Sequence, residues 1–149
     1  MQQHEMEKEI QKLVDIEAIK QLKYTYAEIC DDNHNPNRIC SVFTEDAIWD
    51  GGEQFGKFSG HDQIREAFAD FSKSIDLSRH HMTNPIITVD GDKATGQWYT
   101  FGVFRKNSKD SILAGSYFDE YIKVEGKWLI KKLIPLINFD VALDEGRKK

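Results

Sequence analysis

The sequence predicts an α+β domain: a cone-shaped, strongly curved antiparallel sheet with helices on its concave face. Apolar residues recur at helical spacing only in the first half of the chain. From Arg79 onward, alternating apolar and polar residues form runs separated by short turns rich in Gly, Asp and Asn. Helices first and a meandering sheet afterwards is the element order of a segregated α+β fold. At 149 residues the chain suits one domain with a substantial core.

The elements follow in order. Residues 1–14 are charged, with few apolar anchors, and either fray or form a short leading helix. Asp15 is a good N-cap for a firmer helix in which Ile16, Ile19, Leu22, Tyr26 and Ile29 make one apolar face. That helix should end near Asp31-Asp32-Asn33, where two acids oppose the macrodipole. A solvated loop explains them, and so does a site. Asn35-Pro36 restarts the chain as cap and first helical residue, and Arg38 to Phe43 reads as a short helix burying Ile39, Val42 and Phe43. Ala47-Ile48-Trp49 is a strand, Asp50-Gly51-Gly52 a turn, and Gln54 to Phe58 the return. Gly60-His61-Asp62 opens a third helix through about Ser74, with Ile64, Phe68, Phe71 and Ile75 on one side. The hairpin from Arg79 to Tyr99 turns at Asp90-Gly91-Asp92, where glycine supplies positive φ. Two further strands, Ile112 to Val124 and Trp128 to Phe139, complete the sheet, with Pro135 marking an edge or a bulge. The domain thus spans residues 15–140, with 141–149 as a flexible tail.

Composition excludes several classes. A net charge of −5 argues against a nucleic-acid partner, and the ordinary mix of 40% hydrophobic and 30% charged residues is that of a soluble globular protein. No apolar run has membrane-spanning length, and MQQHEMEKEI lacks the apolar core of a signal peptide. Cys30 and Cys40 match neither a disulfide framework nor a zinc pattern, so a reducing cytoplasm is the expected setting. No histidine has metal-ligand spacing with a second strong ligand, and no Gly-rich phosphate loop or nucleotide fingerprint occurs; no metal and no cofactor are expected.

The polar start of the hairpin carries the chemistry. On a strand, His80, Met82 and Asn84 share one face, while His81 and Thr83 share the other. An imidazole and an amide among apolar groups must be satisfied by a partner or a ligand. His80 is either a core histidine bonded to backbone or a general base, and Asp31 either ends a helix or orients that base. Tyr26 is either a packed aromatic or a proton donor. Five residues rotate an ideal helix by about 140°, so Tyr26 and Asp31 do not share a face, whereas Tyr24 and Asp31 do. Either the helix end distorts or a pocket wraps around it. Trp49, Phe68, Phe71, Met82 and Trp98 are candidate pocket walls or simply core, and Asn84 is a ligand contact or a strand-end satisfier beside Pro85. His4 and His34 are expected at the surface, and His81 outward.

DIEAIKQLKYTY, FTEDAIWDG, HHMTNPIITVDGDKATGQWY and DEYIKVEGKWLI, in that order, resemble the SnoaL-like branch of the nuclear-transport-factor-2-like (cystatin-like) superfamily. The likeness runs from about Leu13 to Phe139, and within the branch the pattern is similar to the bile acid 7-alpha-dehydratase family. That resemblance implies catalytic roles for Tyr26, Asp31 and His80. The second aspartate of those dehydratases falls on Gly102, and their late arginine near Ile137. It also implies a homodimer paired through the convex face of the sheet, where Tyr117, Tyr121 and Trp128 are expected to lie. Two functions follow. One is a cofactor-independent lyase or isomerase, dehydratase-like, acting on a small hydrophobic, cyclic substrate through a His-Asp dyad. The other is a non-catalytic small-molecule-binding or dimerisation module of the same fold.

Overall fold

The computed structural model describes residues 2–143. Helix α1 spans Gln3–Asp31, a 3-10 turn covers Ile39–Val42, and strand β1 runs Phe43–Asp50. A single-turn α2 (Gly52–Phe55) and the short β2 (Lys57–Ser59) lead into α3 (Gly60–Ser74). Four long strands follow: β3 (Ile75–Asp90), β4 (Lys93–Lys106), β5 (Lys109–Val124) and β6 (Lys127–Ala142). They form one six-stranded sheet in the order β2-β1-β6-β5-β4-β3. Every pairing is antiparallel except β1 with β6, which is parallel because β1 enters the sheet before the meander and flanks its last strand. Turns at Gly91-Asp92, Asn107-Ser108 and Glu125-Gly126 join neighbouring strands, the first inside the expected Asp90-Gly91-Asp92 turn.

Register shifts bend the sheet. One extra residue on β6 bulges against Ala114-Gly115, and another against Glu120-Tyr121. On β3 a wider irregularity separates Thr83 from Ile86, with Asn84 in a left-handed conformation. Gly115 and Gly102 sit where backbones approach closely: an added Cβ would run into the carbonyl oxygens of Leu136 and Arg79 respectively. Pro135 lies on β6 beyond Leu133, where the β1 pairing stops, so its missing N–H breaks no ladder on that side.

Several expectations are corrected. α1 is continuous from Gln3, and Asp15 is not its cap. Asp15 is buried in mid-helix, accepting from Trp128 Nε1 at 3.0 Å and Gln11 Nε2 at 3.2 Å and pairing with Lys123 Nζ at 2.8 Å. The buried stripe of α1 therefore includes Asp15 and Lys23 beside Ile19, Tyr26, Ala27, Ile29 and Cys30. Asn35-Pro36 forms a turn rather than a helix start, with Asn35 Oδ1 accepting from the Asn37 N–H at 2.9 Å. Of the segment expected as a tail, Val141 and Ala142 belong to β6, and residues 144–149 lie outside the described residues. Tyr117, Tyr121 and Trp128 all point inward, at 5%, 2% and 5% exposure. They share strand faces with the core, and α1 covers them.

The middle of the core is polar. Lys23 Nζ lies 2.8 Å from Asp119 Oδ2, both side chains fully buried, and 3.7 Å from the centre of the Tyr117 ring. Tyr121 donates to Asp119 at 2.6 Å and accepts from Trp98 Nε1 at 3.0 Å. Burial pulls the Lys23 ammonium below its ordinary pKa, opposed by the charge of Asp119. Removing one partner strands the other in a dry core, typically costing about 3–5 kcal/mol, whereas replacing both with apolar groups is far milder. Lys23→Met and Asp119→Leu are each expected to lower stability by about that amount in urea unfolding, and the double variant by less than either. A double variant as damaged as the sum of the two singles would contradict this.

Candidate functional site

Sequence places Asp31 at the last turn of α1, where a carboxylate is disfavoured by the helix dipole. The structure supplies the compensation. Asp31 accepts from the His80 backbone N–H at 3.0 and 3.1 Å, from Ser78 Oγ at 3.0 Å and from His80 Nδ1 at 2.6 Å. Asp32 is held separately, by Asn35 and Arg38, which keep its carboxyl below the usual range. With its proton donated from Nδ1 to Asp31, His80 carries its lone pair on Nε2.

The concave face of the sheet encloses a cavity of about 300 Å³. α1 contributes Tyr26 and Cys30 to its wall, and the turn after it contributes His34. Trp49 and the aromatic rings of Phe55, Phe68 and Phe71 line another side. His80, Phe104, Leu113, Tyr117, Pro135 and Ile137 close it from the sheet, with Gln54, Ser74 and Lys106 as further polar groups. Tyr26 is buried and its hydroxyl accepts from Trp49 Nε1 at 3.0 Å. Burial pushes the Tyr26 pKa well up, so it keeps its proton and remains an O–H donor. Tyr117 is raised for the same reason. Burial pushes the Cys30 thiol up to about 12. The His34 imidazole is held down to about 3 by burial and then by nearby His80, so it is neutral at physiological pH.

Of the residues expected at the site, Tyr26, Trp49, Phe68, Phe71 and His80 share this cavity. Asp31 lies behind His80 and opens instead on a shallow groove with Tyr24 and Met82. The 140° between Tyr26 and Asp31 is thus resolved without distorting the helix: Tyr26 faces the cavity, and Asp31 reaches it through the strand residue it holds. Trp98 is not a wall of the cavity; it is buried against Tyr24, with ring centroids 5.8 Å apart, and serves the Lys23–Asp119 network. Asn84 does not share the face of His80, because the bulge after Thr83 leaves it exposed on the outer side. His34, expected at the surface, is 5% exposed. Asn33 and His34 both adopt left-handed conformations, φ 54° and 47°, which swing the chain back under α3. No local pattern announces that turn. Tyr117 had a signal, since it shares strand parity with Asp119 and Tyr121, and an acid on that face marks a buried network.

Gly102 pairs with His80 across the sheet, and a side chain there would strike the Arg79 carbonyl and the Phe104 ring. Ile137 makes its wall of the cavity apolar.

Comparison with known proteins agrees with this architecture. The family model for the SnoaL-like domain matches residues 11–134. A protein from Novosphingobium aromaticivorans provisionally assigned as an aromatic ring hydroxylase is 27% identical, with a TM-score of 0.81 over 87% of this chain and 94% of that one. Another from the same species, provisionally assigned as a scytalone dehydratase, is 25% identical, with a TM-score of 0.78 over 93% and 97%. Hexachlorocyclohexane dehydrochlorinase type 3 from Novosphingobium barchaimii is 21% identical, with a TM-score of 0.84 over 95% and 98%, a likeness of fold. The chain belongs to the SnoaL-like family.

Proposed function

We propose that this protein is a cofactor-independent lyase or isomerase acting on a small, hydrophobic cyclic molecule bound in the cavity. The observation that carries the reading is the Asp31 carboxylate, which holds both the backbone N–H and the Nδ1–H of His80. Such a carboxylate fixes the tautomer and supports the charge that the ring acquires as a base. His80 Nε2 would take a proton from a carbon made acidic by a neighbouring carbonyl or leaving group. The C–H electron pair becomes a new double bond, and the leaving group departs with its own pair. Tyr26 would donate its proton to a departing hydroxyl, or polarise a carbonyl in an isomerisation. Aromatic walls from Trp49, Phe68, Phe71 and Phe104 suit a ring. The dehydrating and dehydrochlorinating names among the structural neighbours favour elimination. The finer likeness to bile acid 7-alpha-dehydratase rests on the helix segment Ile16 to Lys23 and on Tyr26, Asp31 and His80, while Gly102 and Ile137 take the places of a carboxylate and an arginine. The substrate accordingly needs no charged group at that wall. An open cavity also suits the alternative of a non-catalytic binding module, which the turnover test below separates.

A homodimer belongs to the same proposal, though on different residues from those first expected. Register aligns Tyr99, Ser116 and Leu136, then Phe101, Ala114 and Phe139, then Val103, Ile112 and Val141 on the outer face. Tyr99, Phe101, Leu136, Phe139 and Val141 are 48% to 65% exposed, an apolar patch suited to a second copy. The two free cysteines fit a reducing cytoplasm. No helix among the described residues is long and apolar enough to cross a membrane. Sedimentation at micromolar protein should give twice the 17.3 kDa chain mass, and Phe101→Glu should halve it. A wild-type mass of one chain contradicts the dimer.

The reaction is tested by screening hydroxylated cyclic ketones and terpenoids for turnover, then assaying variants on the substrate found. His80→Ala and Asp31→Asn should lower kcat by about 10²–10⁴, and Tyr26→Phe by about 10², with circular dichroism unchanged. His80→Ala retaining more than a tenth of wild-type kcat would remove the dyad from the mechanism. Ligands that bind without turnover would favour the binding module.

A further inference from the structure

Cys30, at the end of α1, is 1% exposed and points into the cavity. The left-handed turn after it returns His34 to the same place, with its ring 5.9 Å from that of His80, centroid to centroid. Nδ1 of His34 is buried with no hydrogen-bond partner, an unusual state for an imidazole at 5% exposure. One ligand atom from each of Cys30, His34 and His80 lies within 4.8 Å of the other two.

We propose that these three side chains form a binding site for a borderline-soft divalent cation of the Zn²⁺ type. The donor set selects the ion: sulfur and imidazole nitrogen suit Zn²⁺ and Co²⁺, whereas Mg²⁺ and Ca²⁺ need oxygen. Asp31 already occupies the outer position that carboxylates take behind a metal-bound histidine, fixing Nδ1–H and leaving Nε2 free to bind. Zinc bonds of about 2.0–2.3 Å set ligand atoms roughly 3.3–3.8 Å apart in a tetrahedron, so the widest pair closes by at most about 1–1.5 Å on binding. The fourth position faces the cavity. Binding releases the thiol proton of Cys30 to solvent, one per ion, since the metal takes the thiolate. The ion would occupy the same Nε2 lone pair that serves as base, so a loaded site and an active base exclude one another. That consequence rests on the proposed reaction; the binding itself does not.

The test uses the purified full chain titrated with Co²⁺, a spectroscopic stand-in for Zn²⁺. One equivalent should bind, with thiolate-to-cobalt charge-transfer absorption and release of one proton, and Zn²⁺ should bleach the band. Cys30→Ser should abolish the charge-transfer band. His34→Gln should weaken Co²⁺ binding at least tenfold, while Cys40→Ser should leave both unchanged; circular dichroism reports folding of each. Absence of the band in the wild type overturns the site. So does a band that survives Cys30→Ser or vanishes in Cys40→Ser. Should Cys30→Ser fail to fold, His34→Gln decides: undiminished affinity overturns the site. Metal binding by a protein whose metal-free form turns over none of the screened compounds would refute the enzymatic reading and leave the metal site intact.

Discussion

The Asp31 carboxylate is the constraint on which this structure turns. It sits at the wrong end of a helix for its charge, and it is kept there by four hydrogen bonds from β3. Those bonds do two jobs at once. They dock the end of α1 onto the first long strand, and they orient His80 toward the space the sheet encloses. Losing the carboxylate would leave the His80 backbone N–H and imidazole unsatisfied in a part-buried position and the Ser78 hydroxyl with only its 3.4 Å contact to the Cys30 carbonyl, which ties the site to the fold energetically.

The same device recurs along α1. Asp15, Lys23 and Asp31 are eight residues apart, and each reaches the sheet from the buried side of the helix. Asp15 meets the β5–β6 end, Lys23 the middle of β5, and Asp31 the start of β3. Apolar packing alone is nondirectional and would tolerate sliding or rotation of the helix over a curved sheet. Three polar pins fix its register, in the way buried polar groups specify one arrangement among several apolar ones. A fixed helix is what a site needs when the base comes from a strand and its orienter from the helix that crosses it.

Much of this was legible in the sequence. The strand alternation from Lys93 to Arg105, the glycine turns, the third helix and the pairing of Asp31 with His80 all follow from local pattern or resemblance. What escaped did so for identifiable reasons. Asp15 looked like a helix cap because capping and burial against Trp128 demand the same residue type. Lys23 carries no local mark of burial, because its partner, Asp119, lies 96 residues away in sequence. Strict alternation places Asn84 on the face of His80, but one bulge reverses the side-chain alternation of the strand. The burial of His34 has no local signature, because two consecutive left-handed residues redirect the chain and Asn-His carries only a faint preference for that conformation.

One proton decides the chemistry of the site: it sits on His80 Nδ1, facing Asp31, and Nε2 is bare toward the cavity. Long-range ¹⁵N–¹H correlation of the histidine rings by nuclear magnetic resonance reads this directly. His80 is expected to show the Nδ1–H tautomer at neutral pH, with a slowly exchanging Nδ1–H resonance that is lost in Asp31→Asn. A His80 ring in the Nε2–H tautomer, or one indifferent to Asp31→Asn, would contradict it.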